Sequence, residues 1–261
     1  MTKLMGVVNV TPDSFSDGGF FLDPEAAIAH GRELAEAGAE ILDVGGESTR
    51  PGADPVLAEE ELRRVVPVIR GLSGLDCEVS VDTSKATVAE AALDAGATIV
   101  NDITALRGDP AMAPLCAERG ATVVLMHMLG EPRTMQEDPR YDDVVAEVKS
   151  FLSERLQAAA AAGVAEERVW LDPGIGFGKT AAHNMELLRR LGELRELGRP
   201  LVVGTSRKSF IGRVDGSAAG ERLGGTIASS VLAAAEGAEV LRVHDVAEMR
   251  QALAVAAAIL G

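Results

Sequence analysis

Aromatic side chains are scarce in this chain. One Trp, one Tyr and six Phe make up 3% of 261 residues, so a core built on ring stacking is excluded. The interior must come from Ala, Val, Leu and Ile, within a composition that is 47% hydrophobic. Cysteine is scarce too. Cys77 and Cys116 stand at no metal-binding or redox spacing, which predicts two reduced, structural thiols in a cytoplasmic protein. No apolar run is long enough for a membrane span, and residues 1–3 lead into a run too short for a secretory signal. Positive charge is in deficit. With 25 Lys+Arg against 40 Asp+Glu the formal charge is −15, which argues against nucleic acid and anionic membranes as partners. A few converging cations would still suffice for a small anionic ligand. Lys and Asn are rare, with five and three occurrences, so Asn9, Asn101 and Lys208 stand out.

What the chain does have is a repeated pattern. Eight short apolar runs (4–8, 41–44, 79–81, 99–100, 123–125, 169–171, 201–203 and 240–241) each end in a polar or glycine-rich cluster, and segments of helical composition separate them. A strand followed by a helix, eight times over, predicts an α/β fold: one (β/α)8 TIM barrel, forming a single domain over residues 1–261. Helices are expected over 24–37 with Asp23 as N-cap, 57–72, 84–95, 110–119, 142–162, 184–197, 219–236 and 245–260. Glycine stands just past most of them. Two connections, 11–23 after the first strand and 45–57 after the second, are too long and glycine-rich for plain turns and read as mobile functional loops. An active site in such a barrel forms at the C-terminal ends of the strands, where the polar clusters fall.

Two constellations follow from that placement. Asp82, Asn101, Asp172 and Lys208 end strands three, four, six and seven. Two carboxylates, an amide and an ammonium offer donors and acceptors with little net charge, which suits a planar heterocycle with amidine-like edges, a pterin or a purine. Taken singly, Asp82 has a plainer reading as the cap of the helix expected from Ser84. Asn9, Thr49, Arg50, Arg242 and His244 come from strands one, two and eight, neighbours in a closed barrel, and suit phosphate. Asn9 adds a neutral oxygen for a hard cation such as Mg2+. Two other motifs carry less. The loop Gly174-Ile175-Gly176-Phe177-Gly178-Lys179-Thr180 has Pro173 where a phosphate loop needs its first glycine. His127, between Met126 and Met128, has no partner histidine at metal spacing and reads as structural.

The ordered motifs resemble one family. Asn9-Val10-Thr11-Pro12-Asp13-Ser14-Phe15-Ser16-Asp17-Gly18-Gly19 and Gly45-Gly46-Glu47-Ser48-Thr49-Arg50-Pro51-Gly52 look like the two signatures of the dihydropteroate synthases, the folate-pathway enzymes that sulfonamides inhibit. Ser80-Val81-Asp82-Thr83, Asn101-Asp102-Ile103, Met126-His127-Met128, Asp172 to Lys179, Ser206-Arg207-Lys208-Ser209 and Arg242-Val243-His244-Asp245 match in order. The resemblance implies a transferase that condenses 6-hydroxymethyl-7,8-dihydropterin pyrophosphate with p-aminobenzoate, giving 7,8-dihydropteroate and pyrophosphate. It implies that Asp82, Asn101, Asp172 and Lys208 hold the pterin, with Ile103, Met126, Phe177 and Gly204 around it and Arg242 stacked on it. Asn9, Thr49, Arg242 and His244 would hold the pyrophosphate, with Mg2+ at Asn9. Thr49, Arg50, Pro51 and Ser209 would form the aminobenzoate pocket once both loops close, Phe15 riding on the first. It further implies a homodimer joined through late helices, and an N-terminal hairpin that is absent or trimmed here. Two alternatives stay open: a pterin-binding corrinoid methyltransferase, which would have no use for Arg50 or Ser206-Arg207-Lys208, and a catalytically silent pterin-binding homologue.

Overall fold

A computed structural model of the chain describes residues 2–11, 23–48 and 53–260. Eight parallel strands form one sheet: β1 (Lys3–Asn9), β2 (Ile41–Gly45), β3 (Glu78–Asp82), β4 (Ile99–Asp102), β5 (Thr122–Met126), β6 (Val169–Asp172), β7 (Val202–Val203) and β8 (Val240–Val243). They run in the order β6-β5-β4-β3-β2-β1-β8-β7. A single parallel bridge, Leu171 to Leu201, brings β6 back to β7 and closes the TIM barrel. Helices cover its outside: α1 (Pro24–Glu36), α2 (Ala58–Leu72), α3 (Ala86–Asp94), α4 (Met112–Arg119), α5 (Val144–Ala161), α6 (Ala181–Arg189), α7 (Ser209–Asp215), α8 (Leu223–Ala235) and α9 (Val246–Leu260).

The strand pattern explains both the core and the site. Side chains alternate between the two faces of a strand. Met5, Ile41, Ile99, Val124, Val202 and Val240 pack together inside the barrel, with Trp170 against them. Two residues further along the same faces stand Asp43, Asn101, Met126, Asp172, Gly204 and Arg242. The barrel is thus dry in its lower layer and polar above it. The opposite faces join the helices in a larger Ala, Val, Leu and Ile cluster, as the shortage of aromatics requires. Cys116 is buried and Cys77 half-buried, both as free thiols. No helix among the described residues is long and apolar enough to cross a membrane.

Three helical expectations need correction. Residues 184–197 are not one helix. Thr180 caps α6 by accepting from the His183 backbone N–H at 3.2 Å, so the helix starts earlier than expected. It stops at Arg190, whose φ of −111° and ψ of 23° leave the helical region, and residues 191–197 continue as a tighter 3-10 turn. Residues 219–236 are likewise a 3-10 turn followed by α8, with Arg222 as the break. Finally, α7 falls outside every expected helix; at seven residues it is too short to show a helical period. Its close approach to α8 needs Gly225, where a Cβ would collide with Cγ2 of Ile211. The remaining helices start within two residues of expectation, and Asp23 caps α1 by accepting from the Glu25 N–H at 3.0 Å.

Candidate active site

One cavity opens at the C-terminal end of the barrel. Asp82, Asn101, Ile103, Met126, Asp172, Phe177, Gly204, Ser206, Lys208, Arg242 and His244 line it, and it encloses about 440 Å3 of space open to solvent. The residues come from the ends of β3, β4, β5, β6 and β8 and from the turn after β7. Asp82 does not cap α3, whose N-cap position is Lys85 and has no side-chain cap bond. Of the expected site residues, Asn9 ends β1 beside Gly45, half-buried and outside the lining set. Ser209 begins α7 with its side chain exposed. Phe15, Thr49, Arg50 and Pro51, with most of the first long loop, lie outside the described residues.

Ion pairs order the cavity wall. Arg242 donates through Nε to Asp43 at 2.6 Å and through Nη2 to Asp82 at 2.9 Å. Burial works against its charge, but Asp43 and Asp82 more than offset that and raise its pKa. Burial also pushes the Asp82 carboxyl up to about 7; Arg242 opposes the shift, while Asp43, Glu61 and Asp102 add to it. Asp172 is raised by burial as well, against the pull of Lys208 and of the Gly174 N–H, which donates to its Oδ1 at 2.6 Å. Lys208 falls to about 8, chiefly through burial, with Asp172 and Asp82 opposing. Its ammonium stands 4.8 Å above the centre of the Phe177 ring and donates to the Ile175 carbonyl. Ser206 Oγ accepts from the His244 backbone N–H at 3.2 Å and lies 2.8 Å from Nδ1.

Behind the lining stands a set of residues that strand-end reasoning missed. Arg207 has φ of +58°, a left-handed turn for a non-glycine residue. Its N–H bonds to Thr226 Oγ1 at 3.0 Å and its guanidinium pairs with Asp245, so the reversal between Ser206 and Lys208 is held from both sides. Asp102 is buried and points away from the cavity. It accepts from the N–H groups of Thr104 and Leu106, both at 2.8 Å, and so shapes the turn carrying Ile103. Lys85 pairs with Glu47 and, at 2.5 Å, with the fully buried Glu61, while Arg64 donates to the Gly46 carbonyl at 2.8 Å. Those bonds fasten the start of the second long loop. Lys179 is buried beneath the loop after β6, and its ammonium reaches the carbonyls of Gly174 and Phe177, each at 3.0 Å, and Nδ1 of His127 at 2.9 Å. Burial and Lys179 lower His127 to about 3, so it is neutral and structural. Asp43, too, is fully buried.

The comparisons agree with this geometry. Residues 5–244 match the family model of pterin binding enzymes. The chain is 49% identical to the dihydropteroate synthase of Escherichia coli K12 over 258 residues, 98% of this chain and 91% of that one. It superposes on the Xanthomonas albilineans dihydropteroate synthase with 4-aminobenzoic acid at a TM-score of 0.94 and 51% identity, covering 100% of this chain and 93% of that one. A complex of the enzyme from the same organism with 7,8-dihydropteroate gives 0.90 and 48%, covering 100% and 94%. With the whole barrel matched and the polar layer assembled around one cavity, the chain belongs to the pterin-binding enzyme family, among its dihydropteroate synthases.

Proposed function

We propose that this cavity joins p-aminobenzoate to 6-hydroxymethyl-7,8-dihydropterin pyrophosphate, releasing pyrophosphate, and that Asp82, Asn101, Asp172 and Lys208 are the residues that read the pterin. The observation that carries the assignment is the convergence of those four side chains with Ile103, Met126, Phe177 and Gly204 on one small-molecule cavity. A carboxylate accepts a pair of N–H groups from an amidine edge, and Lys208 donates to a ring oxygen or nitrogen. Arg242 and His244 face the leaving group, and Arg242 also flanks the ring. Asp82 and Asp172 stabilise the positive charge that develops on the pterin as the C–O bond to pyrophosphate breaks. The aromatic amine then attacks that carbon and loses a proton. Phe15, Thr49, Arg50, Pro51 and Ser209 hold the aminobenzoate and exclude competing water.

Mg2+ fits the donors at the top of β1 only in part. Among the described residues no group of three His, Cys, Asp or Glu side chains could hold a metal. Asn9 supplies one neutral oxygen, which suits an ion that takes the rest of its shell from phosphate oxygens and water. Bound there, Mg2+ would neutralise charge on the departing pyrophosphate. A homodimer through the late helices is part of the same reading. Leu232 on α8 and Val255, Ile259 and Leu260 on α9 are exposed apolar side chains that such an interface would cover. The protein is taken to act in the cytoplasm.

The test is direct. Dihydropteroate should form from the two substrates with Mg2+, without any corrinoid, and slow sharply when Mg2+ is chelated. Absence of product at saturating substrates sinks the reaction assignment; full activity in chelator removes the metal from it.

A further inference from the structure

Asp43 lies on β2, in the same polar layer as Asn101 and Arg242 but outside the cavity lining and wholly without exposure. Its Oδ2 accepts from Arg242 Nε at 2.6 Å and from Asn101 Nδ2 at 3.1 Å. Its Oδ1 is buried with no hydrogen-bond partner among the described residues. A buried carboxylate with one bare oxygen is expensive, and an apolar side chain at this strand position would avoid the cost. What the carboxylate does in return is set two cavity-lining groups at once. An ionised carboxylate accepts and never donates, so Asn101 must turn its NH2 toward it. The amide oxygen is then the atom left to face a ligand. Arg242, held at Nε by Asp43 and at Nη2 by Asp82, has its guanidinium plane fixed between two strands.

We propose that Asp43 is a positioning residue that makes Asn101 an obligate acceptor toward the cavity, and so selects a ligand with an N–H at that point. The proposal rests on the pterin reading of the cavity. It predicts a split between two substitutions at position 43. In Asp43→Asn, the introduced amide oxygen takes the place of Oδ2 and still accepts from both Arg242 Nε and Asn101 Nδ2, with its NH2 where Oδ1 stood bare. In Asp43→Leu both acceptor bonds are gone, and Asn101 can turn its NH2 into the cavity where an acceptor is needed.

The experiment is calorimetry of pterin pyrophosphate with Mg2+ on the wild type, Asp43→Asn and Asp43→Leu, alongside KM, kcat and thermal melts. Asp43→Leu should bind about tenfold more weakly or worse, the cost of a misdirected hydrogen bond. Asp43→Asn should keep most of the affinity. Both substitutions remove the buried carboxylate, so a split between them follows the acceptor oxygen and not the charge. Wild-type affinity in Asp43→Leu overturns the proposal, and so does Asp43→Asn binding as weakly as Asp43→Leu. If Asp43→Leu does not fold, Asp43→Asn decides alone: most of the wild-type affinity supports the proposal, a loss of about tenfold overturns it. Failure of the wild type to bind pterin pyrophosphate strikes the pterin reading itself, a result distinct from failure of the split.

Discussion

At the scale of single residues, the cavity sets two opposed ionisations close together. Asp82 is pushed up to about 7 by burial, and Lys208 down to about 8 by burial. Binding needs Asp82 as an acceptor and Lys208 as a donor. As pH climbs through about 7, Asp82 ionises and kcat/KM should rise; above about 8, Lys208 loses its proton and kcat/KM should fall. Asp82→Asn should abolish the rising limb and leave the falling one. An unchanged acidic limb in that variant assigns the lower ionisation to another group. This scale also shows what was legible in the sequence. Asp82, Asn101, Asp172 and Arg242 could be read because each ends or follows an apolar run, and a barrel brings such ends together. Asp43 could not, because it sits inside the run Ile41–Gly45 and looks like an interruption of a strand. A charged residue on the inward face of an otherwise apolar strand is the signal that would have found it.

At the scale of elements, the loop between β6 and α6 behaves as a built part rather than a connection. Tyr141 donates to the Gly178 carbonyl at 2.8 Å, and Asn184 accepts from the Gly176 N–H at 2.7 Å. Lys179 ties the Gly174 and Phe177 carbonyls to His127. Gly174, at φ of +67°, passes so close to β5 that a Cβ would collide with the His127 carbonyl oxygen. Lys179→Met should therefore cost about 1–3 kcal/mol for each acceptor left bare, read as a lowered Tm, and should weaken pterin binding by releasing Phe177. Unchanged melting and unchanged affinity together would show that the loop holds without its ammonium. Glycine spacing alone tempts a phosphate-loop reading of this segment, and its stitching from below is invisible in one dimension. The same limit explains α7. Strand ends and long helices carry period and punctuation, whereas a seven-residue helix following a strained turn at Arg207 carries neither.

At the scale of the whole molecule, charge and closure are the two properties that matter. A net charge of −15 repels both anionic substrates at long range, while Lys208 and Arg242 attract them only inside the cavity. Salt screens the distant repulsion first, since the Debye length is about 10 Å at about 0.1 M. At fixed free Mg2+, kcat/KM for pterin pyrophosphate should therefore rise as ionic strength goes from about 0.01 M to about 0.1 M. A monotonic fall over that range means the local cations govern capture instead. Closure has its own consequence. Seven of the strand pairs are laddered, and the eighth contact, between β6 and β7, is one bridge. Mechanically this is a split ring with a single clasp. Asp172 stands on one side of the gap and Lys208 follows the strand on the other, so a molecule gripped by both spans the break. The occupant then serves as a second rivet of the hoop. With the site empty, that seam rests on the one bridge between Leu171 and Leu201.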